Sequence, residues 1–271
     1  MTDRVRVPDL FAARARGDLV VEDQFFANLR LRNGVYKLTY RHRFDATLAA
    51  TVKHARRIGA RRVLDVACSS GVSTVELAHA LGECEVHGTD VMTSATYLER
   101  GGIGWLVDDR DRVIQVDHPR WAMSWSPSKR DLLRHPLRAA HAFALRAARR
   151  RGDLAASSVS LVSSLVPASG VQIHEEDARH PSVPGEFELV RVANFLNRLY
   201  FAPAELVALR DAVVARVSDR GVLFVVRTHE DGRHHGTFFE RRGREMIELD
   251  RIGDGSEVAA IIRGDRASGP A

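Results

Sequence analysis

Residues 63–74 read Val-Leu-Asp-Val-Ala-Cys-Ser-Ser-Gly-Val-Ser-Thr, and the sizes within that run decide the fold. Arg62 to Ala67 is short, β-branched and apolar, as a buried strand is. From Val72 to Leu81 apolar residues recur at Val72, Val75, Leu77, Ala78 and Leu81, as on a helix. Only small residues stand between the two. Small side chains let the backbone approach a ligand closely, Gly71 is free to take left-handed torsions, and the amides opening the next helix favour an anion. The run is therefore predicted to be strand, tight loop and helix, with the loop built to hold something anionic or polar.

Working outward, the unit repeats. Second to fifth strands are predicted at 84–89, 171–175, 187–193 and 221–228, with an amphipathic helix over 203–217 carrying Leu206, Leu209, Val213 and Val217 on one face. Strands alternating with helices imply a parallel sheet covered on both sides. Segments 237–249 and 257–262, joined by Gly253-Asp254-Gly255, read as an antiparallel hairpin at its edge. The expected fold is α/β: a doubly wound, mostly parallel seven-stranded sheet with that hairpin and a helical insertion between the second and third strands. Expected divisions are an N-terminal helical region over 1–60, a sheet domain over 61–266, and a basic insertion or lid over 98–168 within it.

Nineteen residues after Gly71, Asp90 ends the second strand, where a carboxylate accepts the two hydroxyls of a ribose; ligands in such sheets lie outside the carboxyl ends of the strands. Glu176-Asp177-Ala178 closes the third strand. The loop, Asp90 and Asp177, in that order, resemble the motif series of the class I S-adenosylmethionine-dependent methyltransferases over roughly residues 60 to 97 and 170 to 262. That resemblance implies S-adenosyl-L-methionine as cofactor. It assigns the methionine end to Asp65, Ala67, Cys68, Ser69 and Gly71, the ribose to Asp90 with Val91, and the adenine to Asp177 with Ala178. Ala67 and Ser69 stand where the family's G-x-G-x-G loop has glycines, and both remain small. A dinucleotide loop would place glycine at residue 74, which is Thr74.

Asn194, after the fourth strand, is read either as a turn cap or as a cofactor contact. Methyl transfer draws much of its rate from holding two reactants in line, so a base is needed only for a hydroxyl or protonated amine acceptor. The candidates are His229 and Glu230 after the fifth strand. Tyr36, Tyr40 and Phe44 sit at helical spacing, more usual in a core than in a flap over a ligand.

Eight basic residues against the single Asp131 fall between Lys129 and Arg151, more than the whole chain's net +5. On a helix, Leu132, Leu133, Leu137, Ala140, Phe143, Ala144 and Ala147 share one face, predicted to dock, while Arg134, Arg138, His141, Arg146 and Arg149 fall largely on the other. Such a helix is a lid with its arginines in water, or a contact for an anionic membrane surface or anionic acceptor; nucleic acid ranks below these. Trp105, Trp121 and Trp125 lie upstream in the insertion, as lining of an apolar acceptor pocket or as packing. A small-molecule or lipid-like acceptor is expected.

Two cysteines, Cys68 and Cys84, suit a reduced compartment as packed thiols, and no metal-binding spacing is present; His234 and His235 lie in a Gly-flanked stretch read as a turn. Met1 to Val20 lacks the uninterrupted apolar core of a secretion signal, so a cytoplasmic location, peripheral to the membrane if the basic helix docks there, is expected. The uncharged run 154–173 is long enough to span a bilayer but carries six serines, Pro167 and Gly170. The competing readings are a nicotinamide-dependent oxidoreductase, which the loop pattern disfavours, and a non-catalytic cofactor-binding protein associated with membranes.

Overall fold

The computed structural model describes residues 4–30, 37, 39–125 and 135–265. Tyr36 and residues 126–134 of the basic segment lie outside the described residues. The chain divides into two compact units, 1–40 with 92–164 and 41–91 with 165–271. These divisions differ from those expected at residues 60, 98 and 168.

The second unit holds the loop. Its strands β1 (Arg62–Val66), β2 (Glu85–Asp90), β8 (Gln172–Glu175), β9 (Phe187–Ala193), β10 (Val217–Thr228), β11 (His234–Arg242) and β12 (Glu245–Ile252) form one sheet in the order β12-β11-β10-β9-β1-β2-β8. From β10 to β8 every neighbouring pair is parallel, and β11 and β12 add antiparallel partners. Alternation along the strands sends side chains to two faces. On one, Leu64, Val66, Val190, Val192, Leu223, Val225 and Phe239 bury against α6 (Pro203–Val214) and α7 (Ala259–Arg263). On the other, Phe224 stacks on Phe238, which His54 of α3 (Asp45–Ile58) covers at 4.2 Å. Helices on both faces make the sheet doubly wound, as the alternating pattern predicts.

The edge hairpin lies elsewhere than predicted. Gly243-Arg244 turns β11 into β12, and Gly253-Asp254-Gly255 instead leads to α7, a helix where a strand was expected. His234 and His235 open β11 rather than a turn.

In the first unit the expected helical insertion is mostly β. Strands β3 (Ser94–Arg100), β4 (Ile103–Val107), β5 (Val113–Asp117), β6 (Ala122–Ser124) and β7 (Ala155–Ser160) form an antiparallel sheet in the order β6-β5-β4-β3-β7. Helices α1 (Val7–Arg16) and α2 (Leu19–Asn28) bring Val7, Leu10, Phe25 and Phe26 onto one face of it, against Tyr97, Leu106, Ile114 and Val159. Helix α5 (His135–Arg151) brings Leu145 to Trp105, Val107, Val116 and Met123 on the other. The buried Trp105 is thereby packing. The face of α5 that docks is the reverse of the one expected: Arg138, His141, Leu145 and Ala148 are buried, while Leu137 and Phe143 are exposed. His141 explains part of this, since its ring meets Trp105 edge-on and its Nε2 lies 3.2 Å from Nε2 of His118.

Candidate cofactor site

Parallel register sets the tips of β1, β2 and β8 side by side, with Val66 opposite Thr89 and Asp90 opposite Glu175. The chain leaves β1 for β2 and β8 on one side and returns to β9 on the other, so the tip of β1 is the switch point where such sheets take ligands.

The loop after β1 alternates handedness. Ala67 has φ 57°, Ser69 62° and Gly71 77°, so each of the three small positions is left-handed. Only glycine adopts that region without cost; for Ala and Ser it costs about 1–2 kcal/mol each, and such backbone strain collects at binding sites. Two latches hold the conformation. The amide of Cys68 donates to the carbonyl of Thr89, and the amide of Ser69 donates to Asp90 Oδ2 at 2.9 Å. A Cβ on Gly71 would meet Ile173 Cδ1 at 3.0 Å and Val166 Cγ2 at 3.3 Å, so glycine suits the position by its torsion first and by tight space second. Gly71 also caps α4 (Val72–Leu81), its carbonyl accepting from the amides of Thr74 and Val75, so the amides of Val72 and Ser73 are the ones left without a partner in the helix.

Asp90 thus sits against the loop, buried and accepting from Ser69, while Val91 beside it is exposed. Asp65 is placed differently. Its carboxylate takes a two-pronged ion pair from Arg191, with Nε to Oδ1 at 2.9 Å and Nη2 to Oδ2 at 2.6 Å, and the hydroxyl of Thr74 at 2.5 Å. Both side chains are 2% exposed. Bound in this way beneath the loop, Asp65 props the turn. The Sγ of Cys68 is buried beside β2, where a Cβ on Gly88 would come within 2.9 Å of it.

At the tip of β8 two acids divide the work. Glu176 is buried and accepts from the amides of Ser182 and Val183, the hydroxyl of Ser182 and, at 3.0 Å, Arg216. Burial pushes its carboxyl up, but those donors outweigh burial and hold it below the usual range. Asp177 faces outward, bound by Arg179 through Nε and Nη2, and that bond holds its carboxyl low. Arg179 is exposed and Asp177 half-buried, so water screens the pair. Ala178 packs on the core between α6 and the sheet.

Asn194 is also left-handed, with φ 58°. Its Oδ1 accepts from the amide of Thr228 at 2.6 Å and its Nδ2 donates to the Thr228 hydroxyl, so its side chain pins β9 to β10. Thr228 in turn meets Nδ1 of His234 at 3.1 Å, and Phe44, buried, lies against His234 at 5.3 Å and over Arg191 at 5.5 Å. Burial lowers the His234 pKa, favouring the neutral ring. His229 and Glu230 occupy the tight turn from β10 to β11, His229 donating its amide to Arg233 and resting its ring 4.4 Å from that of His235. Arg191, Glu176 and His234 were not singled out in the sequence as site residues; an arginine inside an apolar strand was the signal for the first.

Among the described residues one group of three potential metal ligands stands out, His42, Asp45 and Glu76. The His42 amide donates to Glu76 Oε1 and its ring bonds Asp45 at 3.1 Å, so mutual hydrogen bonds account for their approach without an ion.

Solved structures that the chain resembles are methyltransferases. They include an O-methyltransferase family protein from Burkholderia thailandensis (13% identity, TM-score 0.36, covering 84% of this chain and 46% of that one). Others are the N-methyltransferase NodS from Bradyrhizobium japonicum with S-adenosyl-L-homocysteine (15%, 0.37, 82% and 74%) and an S-adenosylmethionine-dependent methyltransferase from Clostridium acetobutylicum (11%, 0.37, 82% and 79%). The chain spans less than half the length of the first. At these TM-scores none of them carries a role over to a residue here. No protein-family model and no curated protein sequence matches the chain.

Proposed function

We propose that the chain binds S-adenosyl-L-methionine at the tips of β1, β2 and β8 and transfers its methyl group to a small-molecule or lipid-like acceptor. One observation carries the reading: the left-handed alternation Ala67, Ser69, Gly71, latched through Ser69 to the carboxylate ending β2. A backbone wound in that way brings main chain rather than side chains to the strand ends, at the place where the next strand's acid stands.

When bound, the cofactor supplies an electrophilic methyl on a sulfonium that departs as a neutral thioether. The residues divide its parts among them. The 67–71 loop and the first amides of α4 suit the methionine end, the amides favouring its carboxylate. Asp90 suits the ribose hydroxyls. The Asp177-Ala178 segment suits the adenine once the exposed Arg179 yields. With Asp65 closed off, the ligand's amino group falls to loop carbonyls. For a hydroxyl or ammonium acceptor, the proton goes to His229, Glu230 or the neutral His234 at the ends of β10 and β11.

Titration calorimetry with S-adenosyl-L-homocysteine, S-adenosyl-L-methionine and NAD tests the reading. Both sulfur ligands are expected to bind, and Asp90→Ala to weaken them at least about ten-fold, the scale of one charge-assisted hydrogen bond. Binding of NAD alone, or equal affinity in the Asp90→Ala variant, overturns it.

A further inference from the structure

The outer face of α5 has a composition that a lid in water does not require. At 100° per residue the buried stripe Arg138, His141, Leu145 and Ala148 fixes the inward direction, and Phe143 falls diametrically opposite it. Phe143 is 76% exposed, as much as any large apolar side chain among the described residues, and Leu137 is exposed too. Pro136, Ala139 and Ala140 lie outward one and two turns before Phe143. Arg146 and Arg150 follow at i+3 and i+7, on the same side, and Arg151 ends the helix. The outward stripe is therefore apolar over its first half and cationic over its second.

Charge says what covers it. Arg149 is paired with Asp111, but Arg146, Arg150 and Arg151 have no acidic partner among the described residues. Cations in the last turn offset the helix dipole, which accounts for the arginines alone and not for a phenylalanine held in water beside them. A cationic helix with an apolar crest matches an anionic lipid surface, where the ring enters the acyl boundary and the guanidinium groups meet phosphates. Among the described residues no helix is long and apolar enough to cross a membrane, so α5 would lie along the surface.

We propose that the Phe143 face of α5 docks the protein on anionic phospholipid membranes. Co-sedimentation of the full chain with vesicles tests it, using phosphatidylcholine alone and phosphatidylcholine mixed equally with phosphatidylglycerol. Binding is expected to the mixed vesicles only and to fall with added salt. Arg146→Ser with Arg150→Ser and Arg151→Ser is expected to weaken it by about a hundred-fold, roughly five-fold per arginine. Phe143→Ser should weaken it by about ten-fold or more. These side chains point outward, and an unchanged circular dichroism spectrum in each variant confirms folding. Equal sedimentation with neutral vesicles, none with either, or unchanged binding by both variants overturns the proposal. So does binding of a DNA duplex in place of vesicles that Phe143→Ser leaves intact, which gives the arginines to nucleic acid. A dimer in ultracentrifugation that Phe143→Ser dissolves, without vesicle binding, gives the face to a second copy of the chain.

Discussion

Residue 67 shows how narrowly the loop is specified. At φ 57° alanine is strained, and glycine relieves that strain by about 1–2 kcal/mol while losing about 0.5–1 kcal/mol to the greater freedom of the unfolded chain. Ala67→Gly is therefore expected to change stability little or raise it slightly, whereas Ala67→Val, β-branched in a left-handed position, loses more than about 1 kcal/mol; urea unfolding measures both. Equal losses in the two would mean that torsion does not govern the position. Beneath the loop, Asp65→Asn leaves Arg191 charged and fully buried, a loss of about 3–5 kcal/mol. Pairing it with Arg191→Met removes the stranded charge and should recover part of that loss; a double variant as weak as the sum of the singles would sink the ion-pair account. The smallness of positions 67, 69 and 71 was legible in the sequence, but the capture of Asp65 was not. Arg191 lies 126 residues away, and only the parallel register of β1 with β9 brings it opposite Asp65.

Among the elements, α1 depends on a strand for its start. Arg6 gives it no side-chain cap, and the amide of Val7 instead donates to Asp117 Oδ2 of β5 at 2.7 Å. Burial pushes the Asp117 carboxyl up from 3.8 to about 6, against the donors from Val7 and Gln115. The folded unit thus holds this proton more tightly than the unfolded chain does. The stability it confers is complete below about pH 4 and is lost as pH rises through about 6. Asp117→Asn keeps an oxygen for Val7 and removes the charge. It should gain up to about 3 kcal/mol on the parent above pH 6 and nothing below pH 4, as read by urea unfolding across that range. A constant difference between the two proteins at every pH would refute it. Elements set by local signals were legible: β1 with its loop and α4, β2, β9, α6 and the core of β10 all follow from periodicity. Those set by their neighbours were not. Strands β4 and β5 are buried along nearly their whole length because α1 with α2 covers one face of their sheet and α5 the other, and helices that far off in sequence leave no local mark. The wheel of α5 placed Arg138 and His141 in water because the sequence does not show that Trp105 and His118 wait beneath. Gly253-Asp254-Gly255 is a stronger turn signal than Gly243-Arg244, and it misplaced the hairpin.

For the whole molecule, the consequence is that each unit buries apolar residues of its own. Phe25, Phe26, Leu106 and Val159 belong to the first unit, and Leu64, Val190, Leu223 and Phe239 to the second, each unit of the size at which domains fold on their own. The proposed cofactor contacts, Ala67, Ser69, Gly71, Asp90 and Asp177, all lie in the second. A ligand stabilises only the structure that binds it, by about 2.7 kcal/mol at a hundred times its dissociation constant. Scanning calorimetry with S-adenosyl-L-homocysteine at that level should therefore raise one transition by roughly 5–11 °C, the same transition that Phe224→Ala lowers, and leave in place the one that Phe26→Ala lowers. If Phe26→Ala and Phe224→Ala shift a single shared transition, the cores are not independent. If the ligand raises the transition that Phe26→Ala lowers and spares the other, its site is not the strand tips of the second unit.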